Sequence, residues 1–507
     1  MVNKQTEKYS KMLSEFKETV RNIEYLKYTL NSLIYWDKIT NMPINGIEYR
    51  SQVMGYLGDE LYRLLSSKQL KRCLNYFDGN KKNDDIVNGM VARIKRNHYY
   101  VEKIPKDEYR EYISLIANAE QVWEKAKAKN DFKLFQPYLE KIVEKFKSFA
   151  EYWGYEENAY DALLGYYEEG VTVNEIDKMS SDLRDFIIEL LNQIRQKEDY
   201  LEQDSDFIIG LETGKQKELS EWVLTEIGFN FDSGRLDEGA HPTTLACSPD
   251  DVRIVTAYNE TDIRTGIFNA LHEGGKGLYE QDIDKKLLGT LLAEVASFGV
   301  EESIGRFYEN VLGRSKAFST KLYDKLRELS AEVNIFDAES FYKYLNHVRP
   351  SLIRIDADEL TYMLHIIIRY EIEKDLIHEK ITVAELPEVW NQKYREYLGI
   401  EPDNDREGVL QDIHWAAGYF GFFPSYFLAN LVAAQLAAMM EKEIGSIEEL
   451  ISQGCLECIH DWLAENVHKK GAVYSTSELI KKITGGAMSS EYYMEYLKKK
   501  YDKVYHL

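Results

Sequence analysis

Apolar residues recur at steps of three and four along the first part of the chain, which is the spacing of one face of an α-helix. They begin at Tyr9 and continue through Leu13, Phe16, Val20, Ile23, Leu26, Leu30 and Leu33. The pattern predicts one long amphipathic helix that ends where Met42 and Pro43 interrupt it. The same period predicts further helices over residues 107–128, 135–150, 174–198, 215–227 and 360–377.

The stretch between residues 228 and 262 breaks this helical pattern. Gly234, Gly239 and Pro242 punctuate it, and residues 252–258 are rich in β-branched side chains. Short runs of this kind between turn-forming residues are typical of strands. The sequence therefore predicts a small antiparallel sheet immediately before the next helical segment.

A long uncharged stretch later in the chain raises the question of a membrane span. Residues 415–440 contain no Asp, Glu, Lys, Arg or His, and this length suffices to cross a bilayer. Pro424 interrupts the stretch, and Asn430 and Gln435 lie within it. We therefore expect a loop followed by a buried helix, with no membrane contact.

Composition adds to the helical prediction and excludes some partners. Only 9 of 507 residues are proline, well under the usual share of about 5%, which favours helices. The net charge of −23 excludes nucleic acid as a partner, because phosphates would be repelled. Four cysteines are too few for a disulfide scaffold, and the isolated pair Cys455 and Cys458 does not favour a zinc or redox site. The charged N-terminal segment lacks an apolar leader, which predicts a cytoplasmic protein.

Residues 271–281 resemble the helix of a metallopeptidase. In the pattern His-Glu-x-x-His, two imidazoles one helical turn apart bind Zn²⁺, and the adjacent glutamate activates the metal-bound water. His272 and Glu273 match the first two positions, but Lys276 occupies the position of the second histidine. The motif therefore has a lysine in place of one zinc ligand.

Further motifs in the same order along nearly the full length resemble the carboxypeptidase Taq family of zinc metallocarboxypeptidases. They are residues 36–43, which include Trp36-Asp37 and Asn41-Met42-Pro43, and residues 228–237, 353–358 and 408–415. The resemblance implies a single, mainly helical domain over residues 1–507, divided by a deep active-site groove that a small antiparallel sheet lines. Whether two lobes surround the groove is left open. The resemblance also implies a homodimer, with peptide C-termini as the substrates.

The departures from the family pattern lie around the expected metal. Besides Lys276, the family's H-P-F appears as residues 241–243 with Thr243, and its D-x-R-x-T as residues 251–255 with Val255. Its H-E-S appears as residues 301–303, with Glu301 in place of histidine. The more distant motifs are intact. This distribution points to a change in the chemistry of the site and leaves the scaffold unchanged.

By the resemblance, His272 and Glu302 are the remaining metal ligands and Glu273 is the catalytic base. A lysine ammonium about 4 Å from Zn²⁺ would repel it by about 8 kcal/mol at an effective dielectric constant near 20. We therefore predict that Lys276 Nζ contacts Glu302 or Glu273 in the place of the metal. The family cofactor is zinc or another divalent metal, and in this chain the cofactor is zinc, another metal or none.

The intact motifs contain the candidate residues for substrate recognition. A guanidinium group suits a C-terminal carboxylate, which makes Arg253 and Arg354 candidates. The alternative is that each arginine is structural and pairs with Asp251 or Asp358. His241, Gln411 and His414 are further candidates in the cleft, and Tyr426 or Tyr419 is a candidate hydrogen-bond donor to an oxyanion.

Three functions remain open on the sequence. The first is a metal-dependent carboxypeptidase that tolerates Lys276. The second is a catalytically silent relative that binds peptide C-termini. The third is a helical scaffold for oligomer or partner binding. Metal content, release of C-terminal residues and peptide binding distinguish the three.

Overall fold

Helices make up most of the protein in this computed structural model, which describes residues 2–197, 209–239, 241–330 and 337–507. In chain order the helices are α1 (Val2–Lys27), α2 (Tyr35–Thr40), α3 (Ile47–Leu65), α4 (Lys68–Phe77), α5 (Asp85–Glu102), α6 (Lys106–Lys129), α7 (Phe132–Trp153), α8 (Ala159–Tyr167), α9 (Val173–Ile194), α10 (Thr213–Glu226), α11 (Ile263–Asp282), α12 (Phe298–Arg306), α13 (Lys316–Leu329), α14 (Ala338–Leu345), α15 (Glu359–Ile377), α16 (Leu386–Tyr397), α17 (Phe423–Ile444), α18 (Ile447–Ser452), α19 (Leu456–Asn466), α20 (Thr476–Thr484) and α21 (Glu491–Tyr505). The mainly helical fold class is confirmed.

The first predicted helix is confirmed, with one irregularity. α1 passes through a π-helical segment, Tyr28–Ile34, directly into α2, which ends at Thr40. The apolar stripe faces the core, where Phe16, Val20 and Ile23 are fully buried. The other periodic segments coincide with α6, α7, α9, α10 and α15, and the last residue of the segment 174–198 lies outside the described residues.

The sheet is confirmed in place and size, but its pairing differs from the prediction. Its strands are β1 (Gly234–Glu238), β2 (Thr243–Ser248) and β3 (Asp251–Thr256), in the order β1-β3-β2. β2 and β3 are antiparallel as predicted, whereas β1 and β3 are parallel, so a purely antiparallel sheet was wrong. Because the chain reverses direction after β1 and again after β2, β1 and β3 run the same way and their direct pairing is parallel.

Two hydrophobic cores hold the molecule together. One is formed by residues from α1, α4, α5 and α10 to α13, together with the sheet. The other is formed mainly by residues from α7, α8, α9, α15, α16 and α21. α17 contributes to both, with Val432, Leu436 and Met440 in the first core and Phe427 and Leu431 in the second.

α17 is the uncharged stretch that resembled a membrane span. Among the described helices it alone is long and apolar enough to cross a membrane, and most of that apolar window is buried inside the protein. A loop over residues 415–422 precedes it. The predicted arrangement, a loop followed by a buried helix, is confirmed.

The four cysteines divide into two kinds. Cys73 and Cys247 are buried free thiols. Cys455 and Cys458, which the sequence left without a role, form a disulfide at the start of α19.

Candidate functional site

α11 carries the His-Glu motif and packs closely against its neighbours. Asp262 caps its first turn, with the side chain accepting a hydrogen bond from the Arg264 backbone N–H. A Cβ at Gly274 would lie 2.4 Å from Leu224 of α10, and one at Gly275 would lie 2.9 Å from the Ile304 carbonyl oxygen of α12. The two glycines therefore let α11 approach both helices, which brings its motif against α12.

Lys276 lies among carboxylates, as the sequence predicts. Its Nζ is 3.2 Å from Glu302 Oε1, 3.3 Å from Glu273 Oε2 and 4.0 Å from Glu301 Oε1. Only 9% of the lysine side chain is exposed, so these charges interact with little screening by water. Burial opposes the charge on Lys276, but the three carboxylates raise its pKa well above its ordinary value. The predicted contact of Lys276 with Glu302 and Glu273 is confirmed.

His272 lies between two carboxylates of the next helical segment. Its Nε2 is 3.3 Å from Glu302 Oε2, and its Nδ1 is 3.0 Å from Glu309 Oε2. Burial alone would lower the pKa of His272, but these carboxylates outweigh burial and raise it to about 9. The ring packs on Gly305, where a Cβ would come within 2.8 Å of it. The His272 ring is therefore held between two carboxylates, which favour its protonated form.

Glu309 is a site residue that sequence reasoning missed. It lies in the π-helical segment Phe307–Leu312 that continues α12, two turns beyond Glu302. Arg306 Nη1 also binds it at 3.0 Å. Burial would raise the pKa of Glu309, but Arg306 and His272 lower it to about 2. The seven-residue spacing from Glu302 was the available signal, since it places both carboxylates on one helix face.

Glu273, the candidate base, is fixed by the sheet as well as by Lys276. Thr244 Oγ1 of β2 donates to Glu273 Oε2 at 2.7 Å. Glu273 is only 5% exposed. Both oxygens of the nearby Glu302 are also engaged, one by Lys276 and the other by His272. The acidic groups of the motif are therefore held by protein cations and hydroxyl groups.

Glu301 stands where the family has histidine, and its charge is less well compensated. Burial raises the pKa of Glu301 to about 7, although the Lys276 ammonium opposes the shift. Glu280, one turn beyond Lys276 on α11, is half-buried, and desolvation together with Glu301 raises the pKa of Glu280 well above its ordinary value. This side of the site therefore holds more carboxyl groups than cations.

The opposite side of the site centres on Asp412. Arg354 donates to its Oδ1 from Nε at 3.0 Å and from Nη2 at 2.8 Å, and Arg369 Nε donates to Oδ2 at 2.6 Å. The two guanidinium groups hold the pKa of Asp412 far below its ordinary range, against the effect of burial. Gln411 accepts hydrogen bonds from the Arg354 backbone N–H and from Arg369 Nη2. Gln411 thus positions both arginines. Arg354 is held in a buried ion pair, which is the structural alternative, although its partner is Asp412 instead of Asp358. The substrate-binding roles of Arg354 and Gln411 stay predictions.

Tyr426 interacts with groups on both sides of the site. The Arg354 guanidinium lies 5.4 Å from the centre of its ring, and His414 Nε2 is 3.4 Å from its hydroxyl. Burial raises the pKa of Tyr426, and Glu302 adds to this shift whereas Lys276 opposes it. The structure therefore brings Tyr426, Arg354, Gln411 and His414 together beside the Lys276 cluster. Burial also lowers the pKa of His414 to about 3, so this ring is neutral.

Arg253 and His241 lie apart from this group, along the sheet. Arg253 makes a two-pronged ion pair with Asp251, both contacts at 2.8 Å, and its guanidinium lies over the Trp36 ring. The side chain of Arg253 is 20% exposed. His241 is exposed, two residues before β2. The pairing with Asp251 is the structural alternative that the sequence left open, and the substrate-binding roles of both residues stay predictions.

The proteins that this chain resembles identify its family. The family model described as carboxypeptidase Taq (M32) metallopeptidase matches residues 15–501. The chain belongs to this family. Its mainly helical fold is thus that of the M32 metallocarboxypeptidases.

Relatives of the M32 family match over almost their whole length. Carboxypeptidase 1 of Bacillus subtilis is 42% identical over 97% of this chain and 98% of its own length. Thermostable carboxypeptidase 1 of Pyrococcus furiosus is 37% identical over 93% of this chain and 94% of its own. The solved structure of a Pyrococcus furiosus carboxypeptidase superposes with a TM-score of 0.93 at 35% identity, covering 97% of this chain and 99% of that one.

M32 membership implies a divalent metal, but the motif residues of this chain do not fit one held in the usual way. A metal held by two imidazoles and one carboxylate would need the position of the Lys276 side chain. The Lys276 ammonium instead binds Glu302 and Glu273 directly, and both ring nitrogens of His272 contact carboxylates, Glu302 and Glu309. A dication here would have to displace the Lys276 ammonium.

Proposed function

We propose that this chain is a catalytically silent M32 relative that binds peptide C-termini. The observation that carries the proposal is the position of Lys276 Nζ, within 3.3 Å of both Glu302 and Glu273. Glu302 is a family metal ligand and Glu273 the family base. One lysine thus engages both groups on which metal-dependent hydrolysis in the family depends.

Binding of a peptide carboxylate is supported by the balance of charge on the other side of the site. There, Arg354 and Arg369 share the single carboxylate of Asp412. The hydrogen bonds to Asp412 use Nε and Nη2 of Arg354, and its Nη1 makes none with the described residues. A guanidinium group with a free N–H edge and an excess of positive charge favour a carboxylate ligand. The neighbouring Tyr426 hydroxyl adds a second hydrogen-bonding group.

The first test separates binding from turnover in the unmodified protein. Fluorescence anisotropy compares one labelled peptide with a free C-terminus and the same peptide with an amidated C-terminus. We expect the free form to bind more tightly and to remain uncleaved, as mass spectrometry would show. Rapid, chelator-sensitive release of C-terminal residues would refute catalytic silence. Equal affinity for the two peptides would refute carboxylate recognition and leave the scaffold role.

The second test restores the missing imidazole. We expect Lys276→His to bind zinc at the His272 motif more tightly than the unmodified protein does at that motif, because it recreates two imidazoles one turn apart and removes the competing cation. The matched control is Lys276→Gln, which removes the charge without adding a ligand. Isothermal titration calorimetry measures both. If the glutamine variant gains as much zinc affinity as the histidine variant, charge removal alone explains the gain.

A further inference from the structure

A second group of metal-ligating side chains lies at the far end of α11. Asp282 is the last residue of that helix, ten residues beyond His272. At 1.5 Å per residue this places the two about 15 Å apart along the helix axis. His460 of α19 and His468 of the 3₁₀ turn His468–Lys470 meet Asp282 there. The group is therefore distinct from the family motif.

The three side chains converge on one point. His460 Nε2 lies 2.7 Å from Asp282 Oδ2, and His468 Nδ1 lies 2.8 Å from the same oxygen. One ligand atom from each residue lies within 4.8 Å of the other two. Within the described ranges, no other group of three or more His, Cys, Asp or Glu residues meets this condition.

The surroundings hold both rings in place. His468 is fully buried and stacks on Tyr279 of α11, with 5.0 Å between the ring centres. His468 Nδ1 donates to the Asp282 carboxylate, while His468 Nε2 is buried without a hydrogen-bond partner. Gly228 lies against His460, where a Cβ would be 3.1 Å from Nδ1. Two positioned imidazoles therefore direct one nitrogen each toward the same carboxylate.

We propose that Asp282, His460 and His468 form a binding site for a zinc-class divalent cation. Two imidazole nitrogens and one carboxylate oxygen are a known three-ligand set for zinc, with the fourth position open to water. Zinc–ligand bonds of about 2.0–2.1 Å put tetrahedral ligands roughly 3.3 Å apart. The observed separations of 2.7 and 2.8 Å thus need to open by about half an ångström, which is within the reach of side-chain rotation.

The competing description is a proton-only triad, in which both imidazoles donate hydrogen bonds to Asp282. Asp461 and Glu457 of α19 add negative charge near His460 beyond that of Asp282. Negative charge around the two rings also favours a bound dication, because opposite charges attract. A bound cation would replace the hydrogen bonds of both imidazoles to Asp282, whereas the proton-only triad would bind no metal.

Zinc titration of the chelator-stripped full-length protein distinguishes these descriptions. We expect one zinc ion per chain to bind this site. His460→Ala and Asp282→Asn should each weaken zinc binding at least about tenfold. His272→Ala is the matched control, since it removes the imidazole of the family motif, and it should leave zinc affinity within about twofold. Circular dichroism checks that each variant is folded.

NMR of the unmodified protein tests the same proposal without any substitution. In nitrogen-detected NMR of the unmodified protein, zinc should shift the imidazole signals of His460 and His468 and leave those of His272 in place. Absence of zinc binding would overturn the proposal. Loss of zinc binding in His272→Ala with full binding in His460→Ala and Asp282→Asn would also overturn it, and would locate the cation at the family motif.

Discussion

Lys276 and Arg354 are buried cations on opposite sides of one site, but their carboxylate partners differ in number. Lys276 lies within 4.0 Å of three glutamates, whereas Arg354 shares the single carboxylate of Asp412 with Arg369. One side of the site therefore has an excess of negative groups and the other an excess of positive groups. Lys276 balances the carboxylates on the negative side, whereas Asp412 alone faces the two arginines on the positive side.

The largest expected effect is on the positive side. Asp412→Asn should lower the free energy of unfolding by about 3–5 kcal/mol, because it leaves two buried guanidinium groups without their anion. Urea unfolding at pH 7 measures the loss. Asp185→Asn is the control, since Asp185 pairs with Arg184 but is 70% exposed, and it should cost at most about 1 kcal/mol. Equal losses in the two variants would show that Asp412 does not balance the arginines.

The next effect is on the negative side and depends on pH. Lys276→Met keeps the side-chain volume but leaves three glutamates without their cation, and we expect a loss of about 3 kcal/mol at pH 8. The crowded carboxyl groups would have pKa values raised above those of the unfolded chain, as that of Glu301 already is at about 7. Such groups lose stability as pH rises above the unfolded pKa, so the cost should shrink toward pH 5. A cost that does not change between pH 5 and pH 8 would contradict carboxylate crowding.

The sequence predicts contacts between residues that are close along the chain, but it does not predict contacts between residues that are far apart. The lysine contact follows from spacing, because residues three apart on a helix share a face and Glu273 is three before Lys276. The helices follow from their apolar period, and the sheet from its β-branched run. Thr244 bound to Glu273 and Asp412 bound to Arg354 do not follow, since these partners are 29 and 58 residues apart. Only the packing of strand on helix, and of loop on loop, brings such pairs together.

Neither the pairing of the strands nor the partners of Asp282 could be predicted from the sequence. Alternating residues identify a strand, but they do not determine which neighbour lies beside it, so the parallel β1–β3 pair was not predicted. Asp282 lies within ten residues of the His-Glu motif, yet its partners His460 and His468 come from a different part of the chain. Single residues of common type carry no signal of such a convergence.

The smallest expected loss of stability is at Glu294, which belongs to neither side of the site. It gives a reference value for the losses expected at Asp412 and Lys276. Glu294 pairs with Lys27 at 2.8 Å and Arg93 at 2.5 Å but is a third exposed, so Glu294→Gln should cost about 1 kcal/mol at pH 7. Burial would raise the pKa of Glu294, but these cations lower it from 4.5 to about 2. A carboxyl group with a lowered pKa stabilises the fold above its unfolded pKa and loses this effect as pH falls through 2. Unfolding curves of variant and unmodified protein should therefore converge near pH 2; a constant difference would contradict the ion pairs.

α17 contributes residues to both hydrophobic cores, so the two cores should unfold together. Its residues Val432 and Leu436 belong to one core and Phe427 and Leu431 to the other, so neither core can separate without exposing apolar surface of the same helix. The first core carries the Lys276 cluster and the second carries Arg354, which means that both charge arrangements depend on one stretch of 22 residues. Heat should therefore melt the two cores in a single cooperative transition. Neither half would persist as a separate folding unit after the other is lost.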